Sequence, residues 1–192
     1  MKVCIVAEGC YPYVVGGVSG WINSMIKSFP NIEFILLTIV ANRSVRGKFV
    51  YELPENLTQV YELYLEDCEW EEGERERKVR KRFHLSKKER TELTNLVMNR
   101  KIKWGVIFDL FQRKGVSVDD LLMGPDFFQI VRECYKRQYA NIVFSDFLWT
   151  MRSIYLPLFW TLKMKVPQAD LYHCVATGYA GVLGSMAKHF HN

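Results

Sequence analysis

The sequence predicts an α/β fold built on a mainly parallel sheet, and three observations carry that prediction. Residues 2–7 and 33–40 are short apolar runs rich in β-branched side chains, the pattern of strands covered on both faces. Between them, Val18, Trp21, Ile22, Met25, Ile26 and Phe29 recur at helical spacing and are expected to form a packed face. The same order of strand, glycine loop and helix returns near the end, where residues 171–175 read as strand and 179–189 as helix.

The first strand runs into a loop that ends in Gly16 and Gly17. Both glycines permit φ > 0 and a close backbone approach, so the amides entering the helix are expected to face an anion at its positive end. Phosphate or sugar-phosphate is the natural ligand; a plain strand-to-helix connection is the alternative. The loop is not the dinucleotide fingerprint, because G-x-G-x-x-G turns tightly off its strand and here about ten residues intervene. Ala41, Asn42 and Arg43 follow the second strand, so no carboxylate waits there for a ribose hydroxyl. A nicotinamide enzyme is disfavoured, and the P-loop pattern is absent.

Residues 49–53 and 58–65 read as short strands about the turn residues Pro54, Glu55 and Asn56, with Tyr51, Tyr61 and Tyr64 packed or at the sheet rim. Residues 66–76 hold seven carboxylates and one arginine, and residues 77–90 hold eight Lys or Arg and one glutamate. Glu71 and Arg75, Glu74 and Lys78, and Glu76 and Arg80 have the favourable acid-first i,i+4 order of an exposed, ion-paired helix. Docking of the basic run on an anionic membrane or polymer would need Phe83 and His84 on its face. Leu93, Leu96, Val97, Trp104, Ile107, Phe108 and Phe111 mark further helices, Ser117 with Asp120 resembles a capping box, and residues 126–139 form another helix. Residues from about 66 to 140 thus form a helical insertion within the α/β frame. Residues 144–165 form an apolar helix that Pro157 is expected to bend or break. Arg152 within it is either a surface or structural pairing residue or a phosphate ligand.

The last strand ends in the loop Ala176-Thr177-Gly178, whose glycine, with Gly181, permits close approach. The helix beginning near Tyr179 is expected to aim a second set of amides at the carboxyl ends of the strands, where open α/β sheets bind ligands. His173 can donate from either ring nitrogen to a sugar hydroxyl or phosphate, or it is a satisfied core histidine.

With 192 residues, 49% of them hydrophobic, the chain can bury a substantial core. The net charge of +5 is modest and not gathered on one face, so no nucleic-acid partner is implied. Five scattered cysteines (Cys4, Cys10, Cys68, Cys134, Cys174) form neither a disulfide framework nor a metal motif, and the expected compartment is the cytoplasm. The first apolar run is too short for a signal-peptide core, and none reaches transmembrane length.

EGCYPYVVGGVSGW (8–21), FLWTMRSIYLPLFW (147–160) and ADLYHCVATGYAGVLGSMAK (169–188) together resemble the N-terminal region of PelF-type glycosyltransferases, the DUF3492 group, over essentially the whole chain. The resemblance implies a GT-B architecture of two Rossmann-like domains facing a cleft, here the N-terminal, acceptor-side domain spanning residues 1–192. It implies a retaining enzyme without a metal or other cofactor, which uses a nucleotide sugar, expected to be UDP-glucose, and a saccharide acceptor in exopolysaccharide synthesis, alongside membrane-associated polysaccharide machinery. Gly16 and Gly17 match the family's Gly-Gly loop, and His173, Thr177, Gly178, Tyr179, Ala180 and Gly181 match its H-x-x-x-T-G-Y-A-G stretch. His173 is therefore the catalytic candidate; Gly16, Gly17, Thr177, Gly178, Tyr179 and Arg152 are the substrate-binding candidates. Cys10 departs from the small hydroxyl residue expected at its position. The C-terminal donor domain is missing, so the chain alone is expected to be inactive and, with an open sheet edge, prone to association. The alternative is a non-catalytic sugar- or nucleotide-binding module, and continuation of the reading frame into a second α/β domain would decide against it.

Overall fold

The structure is a computed structural model that describes residues 1–68 and 83–191, and the chain divides into two compact units, Met1–Trp70 with Met164–Asn192, and Glu71–Lys163. In chain order the elements are β1 (Lys2–Glu8), α1 (Gly17–Ser28), β2 (Glu33–Val40), β3 (Leu57–Tyr64), α2 (Lys87–Val97), α3 (Trp104–Gln112), α4 (Val118–Leu122), α5 (Pro125–Cys134), α6 (Phe144–Lys163), β4 (Leu171–Cys174) and α7 (Tyr179–His191).

The first unit carries an all-parallel sheet in the order β3-β2-β1-β4, the parallel α/β sheet expected from the apolar runs and the Rossmann-like arrangement that the family resemblance implied. Neighbours across a parallel ladder share a face, so the register decides what each side chain meets. Val3 and Ile5 lie beside Phe34 and Leu36 on one side and Leu171 and His173 on the other. That face is covered by α1, whose Ile22 and Ile26 join Val3, Ile5, Ala7, Phe34 and Leu36 in one core. Each isoleucine is fully buried and contributes roughly 1.5–3 kcal/mol by leaving water. Cys4, Val6 and Glu8 point the other way, together with Cys174, and there α7 packs close enough for Cys174 Sγ to donate to the Ala180 carbonyl at 3.3 Å.

Two expectations fail in this unit. Residues 49–53 are irregular rather than a strand: Val50 N–H donates to the Pro12 carbonyl at 3.0 Å and the Tyr51 ring lies 5.4 Å from that of Tyr11, so this segment braces a loop and does not extend the sheet. The buried stripe of α1 is Ser19, Ile22 and Ile26, while Val18, Trp21 and Phe29 are exposed. Asn56, read as a turn residue, donates to the carbonyls of Ile26, Phe29 and Ile32 at 3.0, 3.0 and 3.2 Å, closing the carboxyl end of α1.

The second unit is helical and extends to Lys163, beyond the boundary near residue 140 suggested by the pattern. The reason is aromatic packing: the Phe159 ring of α6 has its centroid 5.1 Å from that of Phe111 on α3, tilted, and 5.6 Å from that of Phe127 on α5, edge to face. The same contacts hold α6 helical through Pro157, which neither breaks it nor ends it. A full capping box starts α2, where Glu89 N–H donates to Ser86 Oγ and Ser86 N–H to Glu89 Oε2. At Ser117 the box is only half made, by Asp120 N–H at 3.4 Å. The pairs Glu71–Arg75, Glu74–Lys78 and Glu76–Arg80 lie outside the described residues. Where description resumes, Phe83 sits 4.6 Å beneath the Lys114 ammonium and Leu85 N–H donates to Asp126 Oδ2 at 3.0 Å, so this end of the basic run is tied to its own unit. No helix among the described residues is long and apolar enough to cross a membrane.

Candidate functional site

The strand order places a topological switch point in the first unit. From β1 the chain moves to β2 and β3 on one side, whereas β4 docks on the other, and the helices following β1 and β4 cover opposite faces. The loops leaving these two strands therefore diverge, opening a crevice at the carboxyl ends where α/β sheets take ligands.

The β1–α1 loop is anchored rather than free. Gly9 takes the left-handed φ of 64° that its turn requires and donates its N–H to the Ile39 carbonyl at 2.9 Å. Tyr11 is fully buried, its hydroxyl donating to Asn23 Oδ1 at 3.4 Å while Thr38 Oγ1 donates to its carbonyl at 3.3 Å. Burial first, and Tyr51 second, push the Tyr11 hydroxyl up to about 12. Cys10 packs against the α1 core, and its carbonyl accepts from Tyr13 and Val14 N–H. The loop tip, Val14 and Val15, is exposed.

An open depression of about 400 Å³ is lined by Gly17, Val18 and Trp21 from α1 and by His173, Cys174 and Val175 from β4 and its loop. It brings two of the expected residues together, Gly17 and His173, and adds one the helical periodicity had assigned to packing. Trp21 is 49% exposed, its ring centroid 5.5 Å from that of His173. Neither ring nitrogen of His173 has a hydrogen-bond partner among the described residues, unlike a core histidine whose polar atoms are satisfied. The clue to Trp21 was in the sequence: positions 19, 22 and 26 complete a buried stripe, which leaves 18 and 21 beside it.

The glycines act differently from expectation. Gly16 is extended, with φ 177°, and Gly17 has no left-handed φ, so neither is required for backbone strain. A Cβ on either would meet no atom within 4 Å, so their smallness keeps the approach to the α1 amides open. At the other loop Thr177 and Gly178 are exposed and Tyr179 begins α7, but the amides there do not all face solvent. Ala180 N–H donates to Glu8 Oε2 at 3.2 Å, a contact that pattern reading missed because its partners are 172 residues apart. Gly178 is small for the same reason, since a Cβ on it would lie 2.8 Å from Glu8 Oε2. Arg152 belongs to the helical unit, where its guanidinium lies over the Trp149 ring at 5.1 Å. Among the described residues no group of three His, Cys, Asp or Glu could hold a metal ion.

Fold and crevice together define a parallel α/β protein with an open depression at its switch point. The family model of DUF3492, a domain of unknown function, matches residues 1–192, and the chain belongs to that family. No curated protein and no solved structure matches it.

Proposed function

We propose that this chain is the acceptor-side part of a retaining, metal-independent glycosyltransferase that takes a sugar, glucose first among those to test, from a UDP-sugar to an exopolysaccharide acceptor. The observation that carries the reading is the crevice between β1 and β4, where the start of α1, an exposed indole and an imidazole converge. Amides at a helix start suit phosphate oxygens. The face of Trp21 suits the C–H side of a sugar ring, and His173 can bond a hydroxyl of the transferred sugar. The resemblance of the three sequence blocks to PelF-type glycosyltransferases supports the same reading.

On this proposal the crevice is one wall of a cleft, and a second α/β domain supplies the groups that hold the nucleotide and exclude water. His173 then stabilises the reacting sugar most in the transition state, by a contact tighter there than in the ground state. Thr177, Gly178 and Tyr179 remain proposed substrate contacts, and the cytoplasmic face of polysaccharide-synthesis machinery is the proposed setting.

The test is titration of the protein with UDP-glucose followed by amide and indole NMR, paired with a radiolabelled transfer assay of the whole reading frame. Shifts at Gly17 and Trp21 together with sugar transfer are the expected result. Binding without transfer would favour a non-catalytic sugar- or nucleotide-binding module, and binding that leaves Gly17, Trp21 and His173 unmoved would overturn the site.

A further inference from the structure

The helical unit turns from α5 into α6 through a corner whose apolar side chains face outward. Residues 138–145 carry no charge, and Tyr139, Ala140, Ile142 and Val143 among them are exposed, Val143 to 64%. Scattered exposed apolar residues are ordinary, but these stand on a connected aromatic base. Phe128 meets Phe144, Phe144 meets Tyr135, and Phe147 meets both Tyr135 and Tyr139, with ring centroids 4.9 to 6.3 Å apart. The carbonyls of the corner are paired from within. Ile142 N–H donates to the Tyr139 carbonyl at 3.1 Å, Tyr135 O–H to the Ile142 carbonyl at 2.7 Å, and Phe147 N–H to the Val143 carbonyl at 3.1 Å. Hydrocarbon cannot satisfy a backbone polar group, so a surface that enters it has to pair these groups itself, as Tyr139, Ile142 and Val143 are paired here.

The charge around the corner is mainly of one sign. Arg132 on α5 and Lys136 in the wide turn Tyr135–Tyr139 that follows it are exposed, and neither forms an ion pair among the described residues. Arg137 is paired with Glu133, and on α6 the Arg152 guanidinium lies over the exposed Trp149 ring at 5.1 Å. From residue 134 to residue 169 the sequence holds a single carboxylate, Asp146. We propose that the α5–α6 corner is a tip that contacts an anionic lipid bilayer. Ile142 and Val143 enter the boundary of the acyl chains, Tyr139 and Trp149 lie at the level of the headgroups, and Arg132 and Lys136 face lipid phosphates. A bilayer offers hydrocarbon and negative charge together, whereas a protein partner would have to bring a carboxylate for each of these cations. The contact is peripheral, since no helix among the described residues is long and apolar enough to cross a membrane. The tip belongs to the helical unit, and its role is independent of what the crevice binds.

The experiment is flotation of the intact chain with phosphatidylcholine vesicles, with and without about one third phosphatidylglycerol, alongside gel filtration of the same proteins. The unaltered chain should float with the anionic vesicles and at least about fivefold less with phosphatidylcholine alone. Ile142→Glu and Val143→Glu should each lower partitioning to anionic vesicles by about tenfold, and Lys136→Glu by about fivefold. All three side chains are exposed, so the variants should melt like the unaltered chain; Val143→Ser, with a loss of about threefold, carries the test if a glutamate variant does not fold. No flotation of the unaltered chain with anionic vesicles would overturn the proposal. So would flotation that Ile142→Glu and Val143→Glu leave unchanged, which would move the lipid contact to other cations of the chain. Self-association that these variants abolish, without any flotation, would overturn it in favour of a second copy of the chain on this corner.

Discussion

Trp21 on α1 and His173 on β4 stand ring to ring, centroids 5.5 Å apart and planes tilted by 36°, across the mouth of the crevice. The pair joins two segments from opposite ends of the sequence, and each ring forms part of the other's surface. Because the imidazole has no hydrogen-bond partner among the described residues, removing it leaves no buried polar group stranded.

His173→Ala should therefore fold, at a stability cost of about 1 kcal/mol or less, and should lower kcat for sugar transfer more than it raises the donor KM. Thermal melting and steady-state kinetics together check this. A variant that unfolds would assign His173 to the core, and a folded one with full activity would remove it from the site.

At Gly17 the structure replaces one physical reason with another. The position needs no left-handed φ and has open space in front of it, so Gly17→Ala should be as stable as the original chain or up to about 1 kcal/mol more so. Gly17→Val should also fold, yet its branched side chain would stand over the amides, lowering sugar transfer by about tenfold or more. Circular dichroism with activity measurements separates the two effects, and near-normal transfer by Gly17→Val would exclude the loop from the site.

The contact of α7 with β4 rests on a glycine as well. A Cβ on Gly184 would overlap Cys174 Sγ, so Gly184→Ala should destabilise the protein by about 1–3 kcal/mol. In a Cys174→Ala background the same change should cost distinctly less, which urea unfolding of the four proteins in the cycle would show as a coupling. Additive costs would mean that α7 accommodates the extra methyl by shifting.

Stability should also fall on the alkaline side. Burial first, and Cys174 second, push the Cys4 thiol from 9.0 up to about 12, and the Tyr11 hydroxyl rises from 10.0 to about 12. Both stay protonated in the folded chain at pH values where the unfolded chain ionises. Their contribution is complete below the unfolded value of 9.0 for Cys4 and is lost as pH rises toward 12, by up to about 1.4 kcal/mol per pH unit for each group. Urea unfolding between about pH 8 and about pH 10.5 should show the decline, and Cys4→Ala should make it shallower. A flat profile would mean that these groups reach solvent.

Much of the scaffold was legible because it is local. β2 begins and ends where its apolar run does, and α6 and α7 begin where their patterns place them. The failures are equally physical. Residues 49–53 have the composition of a strand, but their N–H and ring partners lie in the β1–α1 loop and not in the sheet. Val18 and Trp21 have the hydrophobicity of a buried face, but the Ser19, Ile22 and Ile26 stripe had already taken the contact with the sheet.

By itself the sequence determined the strands that form the sheet, though not the irregularity of residues 49–53, together with the glycine-bearing loops and the histidine near the last of them, since hydrophobic period and turn chemistry are written in neighbouring residues. Only the tertiary structure decided that β4 docks beside β1 on the side away from β2, which creates the switch point. That choice sets His173 against Trp21 on one face and Glu8 against Ala180 on the other. Parallel pairing of strands so far apart in the chain leaves no local trace, because its register is set by packing over the whole sheet.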